Sequence, residues 1–470
     1  MPATPHDWYL LACVAGTVLL LLFLVVRLRM HAALGLSIAA LALGAAAGMP
    51  FEQVPLSFTV GVGSMMGRIA IILGMGAILG QLLATSGAGA ALGKVLVEGC
   101  GAQGTPWALL VLGLLVGMPV FFEVGFVLLL PIIMDTARRC GKPPSLVGIP
   151  VMAGLSVMHC LVPPHPAAML AATVYHADVG RTILWGLVVG VPASILAGPL
   201  LAAILSRRWE QRNAGSSGAR SVFESTGEPT IGGSELQSTS KSAPAPAGPL
   251  HALVAILLPV ALIFAGSWAD SISPKGTLAN HLLHLAGYPD VAMLTAVLVA
   301  LAMLGTHLQT ETYRGRGGLR RLTSDSFAPI AGVLVILSAA GGLSGILRDS
   351  GAAQATVGLA LGAHMPPLIL AWVLAAIVRV SMGSATVAMA VASAVLAPMA
   401  VHMGVRPEML VLATGSGSLL LSHVNDSGFW LVQSLFRIDV KGTLATWSAL
   451  ETVLSITGLG FTLLLASLLH

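Results

Sequence analysis

Two histidines and three prolines share one short segment of the chain. His159 is followed by Pro163-Pro164-His165-Pro166, inside an otherwise apolar stretch of residues 146–176. Each proline lacks a backbone N–H and clashes with the carbonyl four residues earlier, so a helix broken here leaves carbonyl oxygens without helical partners. Those oxygens and the two imidazoles favour a site for hydroxyl groups or a proton. The alternative is a proline kink of structural use only.

A second polar cluster, Ser422-His423-Val424-Asn425-Asp426-Ser427-Gly428, interrupts the apolar residues 409–436. Asn, Asp and Ser side chains compete for backbone groups and Gly is conformationally permissive, so this segment also breaks a helix. If the stretch crosses a membrane, Asp426 and Asn425 are costly there and mark a functional site by default. In the structural alternative, Asp426 caps the following helix and Asn425 ties down backbone.

Two more charged residues lie in apolar hairpin candidates. Glu123 is the only acid of its turn, and a carboxyl in such surroundings is suited to carry a proton. Arg379 precedes Gly383-Ser384-Ala385-Thr386, where a guanidinium and closely approaching backbone N–H groups would bind an anion. Alternatively, Arg379 extends to the membrane interface and Gly383 permits tight packing. Glu451 lies inside the last apolar stretch, and the sequence identifies no partner for it.

Composition identifies the solvent around these residues. Of 470 residues, 56% are hydrophobic and 9% are charged, and the mean hydropathy is +0.91. A soluble surface needs roughly a quarter of its residues charged, so this chain is expected to lie in a lipid bilayer. Its net charge of +4 is spread too thinly over the chain to form a nucleic-acid-binding surface. The four cysteines lack paired spacing, and metal-ligand and phosphate-loop motifs are missing, so we expect no metal and no cofactor.

Apolar stretches long enough to cross the bilayer as helices recur along the chain. They are residues 8–26, 32–49, 68–84, 182–206, 250–267, 291–307, 327–347 and 444–469. Arg68 is expected to anchor a helix end, and Gly87 and Gly351 are expected to end helices. Four further stretches are too long or too polar for simple spans. Residues 106–134 and 366–402 predict re-entrant hairpins, and residues 146–176 and 409–436 predict interrupted helices.

The chain divides into two halves with an internal repeat. A shift of 264 residues carries Ser86-Gly87 onto Ser350-Gly351 (350 − 86) and His159 onto His423 (423 − 159). Residues 1–206 and 250–470 form the predicted halves, joined by a flexible cytoplasmic linker at 207–249 that is rich in Ser, Gly and Pro.

Four basic clusters indicate the orientation of the two halves. They are Arg27 and Arg29; Arg138, Arg139 and Lys142; Arg207, Arg208 and Arg212; and Arg314, Arg316, Arg320 and Arg321. Placing all four in the cytoplasm gives each half five crossings and one hairpin, so the halves are inverted. The predicted fold is an all-α polytopic membrane protein with two inverted repeats of about five transmembrane helices each, two re-entrant hairpins and two interrupted helices.

Four motifs resemble those of the gluconate permease (GntP) family. They are PVFFEVGFVLLLPI from Pro119, GLSVMHCLVPPHPAAML from Gly154, RVSMGSATVAMA from Arg379 and SHVNDSGFWLVQSLF from Ser422. The chain departs from the family pattern at Cys160 and at Ala167-Ala168. The resemblance implies a multi-pass protein of the bacterial inner membrane that takes up gluconate or a related sugar acid together with protons. Monomer and homo-oligomer both remain open.

The leading hypothesis is proton-coupled symport of a small hydroxy monocarboxylate, with no enzymatic activity. Its carboxylate would bind Arg379, Ser384 and Thr386. Its hydroxyl groups would bind Asn425, Ser427, His165 and the carbonyls freed by Pro163 and Pro164. The proton would be taken by Asp426 or Glu123, with His159 alongside. Sodium-coupled transport of an organic anion is the first alternative. An intramembrane hydrolase using Ser422, His423 and Asp426 is a distant one, because the sequence has no GxSxG motif.

Overall fold

The computed structural model describes residues 4–215, 245–308, 313, 317–352, 355, 366–400, 404–424 and 426–469. All regular structure in these residues is helical. Asn425, Arg314, Arg316 and linker residues 216–244 lie outside the described residues. Seven of the described helices are long and apolar enough to cross a membrane, or eight if one bent pair is a single span. The prediction of an all-α, multi-pass membrane protein is confirmed.

The first half contains α1 (Pro5–Leu22), α2 (Ala32–Ala46), α3 (Gln53–Thr85), α4 (Ala88–Gly117), α5 (Phe122–Cys140), α6 (Ile149–Leu161), α7 (Pro166–Val174) and α8 (Val179–Gln211). The second half contains α9 (Pro249–Ser267), α10 (Leu278–Gly287), α11 (Pro289–Leu304), α12 (Gly318–Asp325), α13 (Ala328–Asp349), α14 (Pro367–Met382), α15 (Ala385–Ala400), α16 (Pro407–Gly417), α17 (Ser427–Phe436) and α18 (Val440–Leu468). Several helices begin with proline, whose missing N–H would have no helical partner in the first turn.

The structure contains a break in each of the four stretches that the sequence singles out. The chain leaves helical conformation between α4 and α5 and between α14 and α15, and in both cases the two helices pack side by side as a hairpin. It also breaks at residues 162–165, between α6 and α7, and at residues 418–426, between α16 and α17. These breaks expose backbone groups in the middle of an apolar mass, which requires protein or a water-filled cavity to satisfy them.

The helix containing Arg68 differs from the expectation. The predicted helix end is wrong, because α3 begins at Gln53 and bends by 41° between Gly67 and Ile69. The apolar stretch that starts at Arg68 is therefore only the second part of a longer helix. The first linker residues are also helical, since the continuation of α8 extends to Gly215. A charged residue in a long helix does not by itself fix where that helix ends.

Local structure repeats between the halves. Gly87 and Gly351 have φ angles of 73° and 75° and follow the ends of α3 and α13, as predicted. The hydroxyls of Ser86 and Ser350 each accept a hydrogen bond of 3.3 Å from the backbone N–H two residues later. The same helix pairs also pack in both halves: α4 with α6 and α14 with α16, then α6 with α8 and α16 with α18. These correspondences support an internal repeat.

Glycines permit the closest of these helix contacts. A Cβ atom at Gly154 of α6 would lie 2.6 Å from the backbone nitrogen of Leu114 and 2.8 Å from the carbonyl oxygen of Leu110, both in α4. Membrane helices gain little from hydrophobic association in lipid, so close backbone packing through small residues is a main source of their stability. The contact between α4 and α6 thus positions the hairpin against the interrupted helix.

We expect Gly154→Ala to destabilise the protein by about 1–3 kcal/mol, because the added methyl group must displace backbone atoms of α4. Gly63→Ala is the matched control: Gly63 also lies inside a helix, and a Cβ there meets nothing within 4 Å. This control should be neutral or stabilising by up to about 1 kcal/mol, since alanine is the better helix former. Thermal unfolding of the detergent-solubilised variants measures both effects. Equal unfolding temperatures for the two variants would contradict the packing argument.

Candidate functional site

The two hairpins and the two interrupted helices meet at a cavity of about 230 Å³. Each of the four broken stretches contributes to its wall, and α13 and α18 complete it. The described lining residues are Phe121, Phe122, Glu123, Ser156, His159, Cys160, Val333, Ile336, Arg379, Ser384, Ala385, Thr386, Leu419, Asp426, Ser427, Gly428, Trp447 and Glu451. Charged residues that are far apart in the sequence therefore share one chamber.

A buried ion pair lies at the wall of this cavity. Arg379 Nη2 donates a hydrogen bond of 2.7 Å to Asp426 Oδ2, and the two residues are only 3% and 8% exposed. Arg379 lies in the last turn of α14 and also donates to the carbonyl oxygen of Gly383, just beyond that helix. Its Nε atom is buried and has no hydrogen-bond partner among the described residues. The guanidinium therefore retains donor capacity for a ligand.

Asp426 is held by hydrogen bonds besides those of the ion pair. Its Oδ1 accepts from the backbone N–H of Gly428 at 3.1 Å, so it caps the N-terminus of α17. Its Oδ2 accepts from the hydroxyl of Ser422, which in turn accepts from Trp447 Nε1 at 2.7 Å. The cation at a helix C-terminus and the anion at a helix N-terminus both interact favourably with the helix dipoles. Asp426 thus has the predicted capping role while also lining the cavity.

Three helix N-termini converge on the cavity. Its wall includes the first residues of α5, α15 and α17. Backbone N–H groups in a first helical turn have no partner within their helix, and the helix dipole is positive at that end. At the start of α15, the hydroxyl of Ser384 accepts one of these groups, from Val387 at 3.4 Å. Together with Arg379, these termini make the cavity suitable for an anion.

Two further carboxyls, those of Glu123 and Glu451, line the same cavity but differ in their burial. Glu123 lies in the first turn of α5, and its side chain is exposed. Glu451 lies in α18 and is 1% exposed; it interacts with the hydroxyl of Ser156, while its Oε1 has no hydrogen-bond partner in the described part of the chain. The described part of the cavity wall therefore contains one guanidinium and three carboxyls.

His159 and His165 lie at different distances from the cavity, one in its wall and the other behind it. His159 lines the cavity, and its Nε2 is 3.4 Å from the hydroxyl of Thr386. His165 is not among the lining residues; its ring centroid lies 4.3 Å from that of His159, and its Nε2 donates to the carbonyl of Val120 at 3.4 Å. His423 makes the analogous bond in the second half, donating to the carbonyl of Val380 at 3.0 Å. Each interrupted helix is thus tied to its hairpin by a histidine.

The structure brings together most of the site residues that the sequence predicts. Seven of them line the cavity: Glu123, His159, Arg379, Ser384, Thr386, Asp426 and Ser427. Pro163, Pro164 and His165 are buried nearby but outside the lining, where Pro164 and His165 border a separate, much smaller cavity. Asn425 cannot be placed, since it lies outside the described residues. The functions assigned to all of these residues remain predictions.

The sequence reasoning missed several wall residues. The sequence does not single out Ser156, because serine is unremarkable in membrane helices, and it identifies no partner for Glu451. The sequence contains one indication that Glu451 belongs to the site. Trp447 and Glu451 are four residues apart, which places them on one face of the last helix. No group of three His, Cys, Asp or Glu side chains suited to a metal ion occurs within the described residues.

Comparisons with known proteins agree with this architecture. The GntP family permease model matches residues 8–469. The chain is 40% identical to a gluconate permease of Pseudomonas aeruginosa, with 99% of both chains covered. It is 34% identical to the Gnt-II system L-idonate transporter of Escherichia coli K12, with 80% of both chains covered.

One solved structure shows the same fold. The crystal structure of the YdaH transporter of Alcanivorax borkumensis aligns with a TM-score of 0.64 at 18% identity, covering 93% of this chain and 97% of that one. The family match confirms both the resemblance seen in the four motifs and the prediction of a transporter rather than a hydrolase. With the match extending over nearly its whole length, the chain belongs to the GntP family of permeases.

Proposed function

We propose that this permease is a proton-coupled symporter that takes up gluconate or a related sugar acid across the bacterial inner membrane. The observation that carries the proposal is the buried Arg379, whose Nε lacks a partner among the described residues and which lines a cavity where three helices begin. Relatives named for gluconate and L-idonate support the substrate class.

In this proposal, the substrate carboxylate binds Arg379 together with Ser384, Thr386 and the N-terminus of α15. A guanidinium can hold a carboxylate through two parallel N–H···O bonds, which fixes the orientation as well as the position of the ligand. Asp426 is bonded to one side of the guanidinium. An incoming carboxylate therefore competes with Asp426 for Arg379.

The substrate hydroxyls would bind Ser427 and His159, with Asn425 as the further hydroxyl ligand that the sequence predicts. We propose a supporting role for His165, because its ring packs on that of His159 and its Nε2 bonds to the hairpin. Pro163 and Pro164 would contribute by breaking the helix, so that backbone carbonyls are available near the cavity.

The charges of the site support proton coupling. One guanidinium faces three carboxyls, and a bound monoanion adds another negative charge. An Asp426 carboxylate displaced from Arg379 would be buried without its cation, which costs several kcal/mol. Uptake of a proton by Asp426 removes that cost, so anion and proton should bind together. Glu123 is the second candidate for the proton, with His159 alongside it in the cavity wall.

The larger architecture fits alternating access. The repeated packing of the two halves supports an inverted repeat, with residues 1–206 and 250–470 as its units and residues 207–249 as a cytoplasmic linker. A substrate site at the junction of broken helices from both halves can open to either side of the bilayer in turn. The assembly could consist of one chain or of a homo-oligomer.

The test of the function is gluconate uptake into proteoliposomes under imposed gradients. We expect a pH gradient, acidic outside, to drive accumulation, and a sodium gradient at equal pH to drive none. With one proton per monoanion, transport is electroneutral. Each additional proton would add about 2.3 kcal/mol per 100 mV of membrane potential to the driving force for uptake. Accumulation driven by sodium alone would favour the sodium-coupled alternative and contradict the proton-coupled one.

Arg379→Lys tests the anion site. Lysine keeps the charge but loses the planar fork, so we expect the Kd for gluconate to rise by about tenfold or more. Arg406→Lys is the matched control, because Arg406 lies outside the cavity and contacts the backbone of Leu469. Binding is measured by isothermal titration calorimetry in detergent. An unchanged Kd for Arg379→Lys would mean that Arg379 does not contact the carboxylate.

Asp426→Asn tests the coupled proton. Asparagine caps a helix as well as aspartate does, so α17 should persist, but the side chain can no longer exchange a proton. We expect accumulation driven by the pH gradient to disappear while counterflow exchange of gluconate persists. Asp439→Asn is the control, since Asp439 caps the start of α18 in the same way. Full accumulation by Asp426→Asn would remove Asp426 from the coupling step.

A further inference from the structure

Glu451 differs from the other two carboxyls of the cavity. Asp426 accepts three hydrogen bonds, one of them from the Arg379 cation, and Glu123 is an exposed residue. Glu451 is 1% exposed and its Oε1 has no hydrogen-bond partner among the described residues, although it lines the cavity. It is thus the carboxyl whose negative charge would be least compensated.

The helix geometry presents Glu451 to the cavity. Residues Leu444–Ser448 of α18 form a π-helical turn directly before it, and such turns recur at functional sites. Trp447, in this turn, also lines the cavity and holds Ser422 through its indole N–H. Trp447 and Glu451 thus lie together at the cavity wall, close to the ion pair.

The groups around Glu451 do not form a second ion pair. It interacts electrostatically with Arg379 of α14, Asp426 before α17 and the thiol of Cys160 in α6. Helices α8 and α16 also pack against α18, but neither contributes a described residue to the cavity wall. Among the described residues, the cation of the cavity wall is Arg379, and it is already bonded to Asp426, so an ionised Glu451 would be a buried charge without a cation of its own.

We propose that Glu451 stays protonated through the transport cycle and binds the substrate as a neutral hydrogen-bond donor. This inference rests on the proposed function, and it separates Glu451 from the residue that carries the coupled proton. A neutral acid can donate its O–H to an oxygen of the bound sugar acid, whereas a carboxylate in the same place would repel the substrate anion.

This assignment also balances the charge of the site. Before substrate binds, the buried Arg379 and Asp426 neutralise each other when Glu451 is neutral; the exposed Glu123 is not part of this buried balance. With a monoanion on Arg379 and a proton on Asp426, the site is neutral again, provided that Glu451 has not changed. Both buried states then avoid an uncompensated charge, which is the costly condition in an apolar interior. One proton accompanies one monoanion.

The decisive variant is Glu451→Gln, because glutamine has nearly the shape of a protonated glutamic acid and can also donate a hydrogen bond. We expect it to retain accumulation of gluconate under a pH gradient, with a rise in the Kd for gluconate that is smaller than that of Glu451→Leu. Glu451→Leu removes the donor, and we expect it to weaken gluconate binding by about tenfold or more. Glu408→Gln is the control: Glu408 is also buried, at 6% exposure, but does not line the cavity.

Infrared difference spectroscopy tests the protonation state directly. The empty wild-type protein at neutral pH should show a protonated-carboxyl C=O band that is absent from Glu451→Gln and retained in Glu408→Gln. If Glu451→Gln does not reach the membrane, Glu451→Asp serves instead, and the same band should shift rather than disappear.

Three outcomes would overturn the inference. One is loss of gradient-driven accumulation in Glu451→Gln with exchange intact, which would make Glu451 the proton carrier. Another is unchanged binding by Glu451→Leu, which would mean that Glu451 does not contact the substrate. The third is no Glu451-dependent protonated-carboxyl band. A wild-type protein that ignores the pH gradient would instead contradict the proposed function, so the two failures are distinguishable.

Discussion

The ion pair between Arg379 and Asp426 is the interaction on which the rest of the site depends. Removing either partner would leave a buried, unpaired charge, which typically costs about 3–5 kcal/mol. The pair joins the end of α14 to the start of α17. The break of a hairpin and the break of an interrupted helix therefore lie side by side in the second half. The helix dipoles at these two ends favour the charges that are found there.

The breaks supply the chemistry that continuous membrane helices lack. A continuous helix bonds all of its backbone groups internally and offers a ligand only side chains, whereas α5, α15 and α17 begin at the cavity wall. The network from Trp447 through Ser422 to Asp426 holds one of these starts in position. Close glycine contacts such as that of Gly154 keep the interrupted helices packed against the hairpins. Rigid packing thus surrounds a polar chamber.

Sequence reasoning predicted the class of fold, the four breaks and the glycine helix ends at Gly87 and Gly351. These predictions succeeded because they rest on local rules, namely span length, proline and glycine conformation, and the cost of polar residues in lipid. The start of α3 was missed because the bend at Arg68 resembles a helix end when only hydropathy is considered. Local patterns do not reveal whether a helix continues past a charged residue.

The sequence by itself determined that this chain lies in a membrane, that it contains broken helices, and that Glu123, Arg379 and Asp426 are exceptional, because few charges are tolerated in an apolar environment. Only the tertiary structure decided that these residues share one cavity, that Arg379 bonds to Asp426 rather than to Glu123, and that Glu451 belongs to the same wall. It also separated His159, which lines the cavity, from His165, which lies behind it. The physical reason is that pairing depends on distances between atoms of remote segments, which helix packing sets and residue order does not.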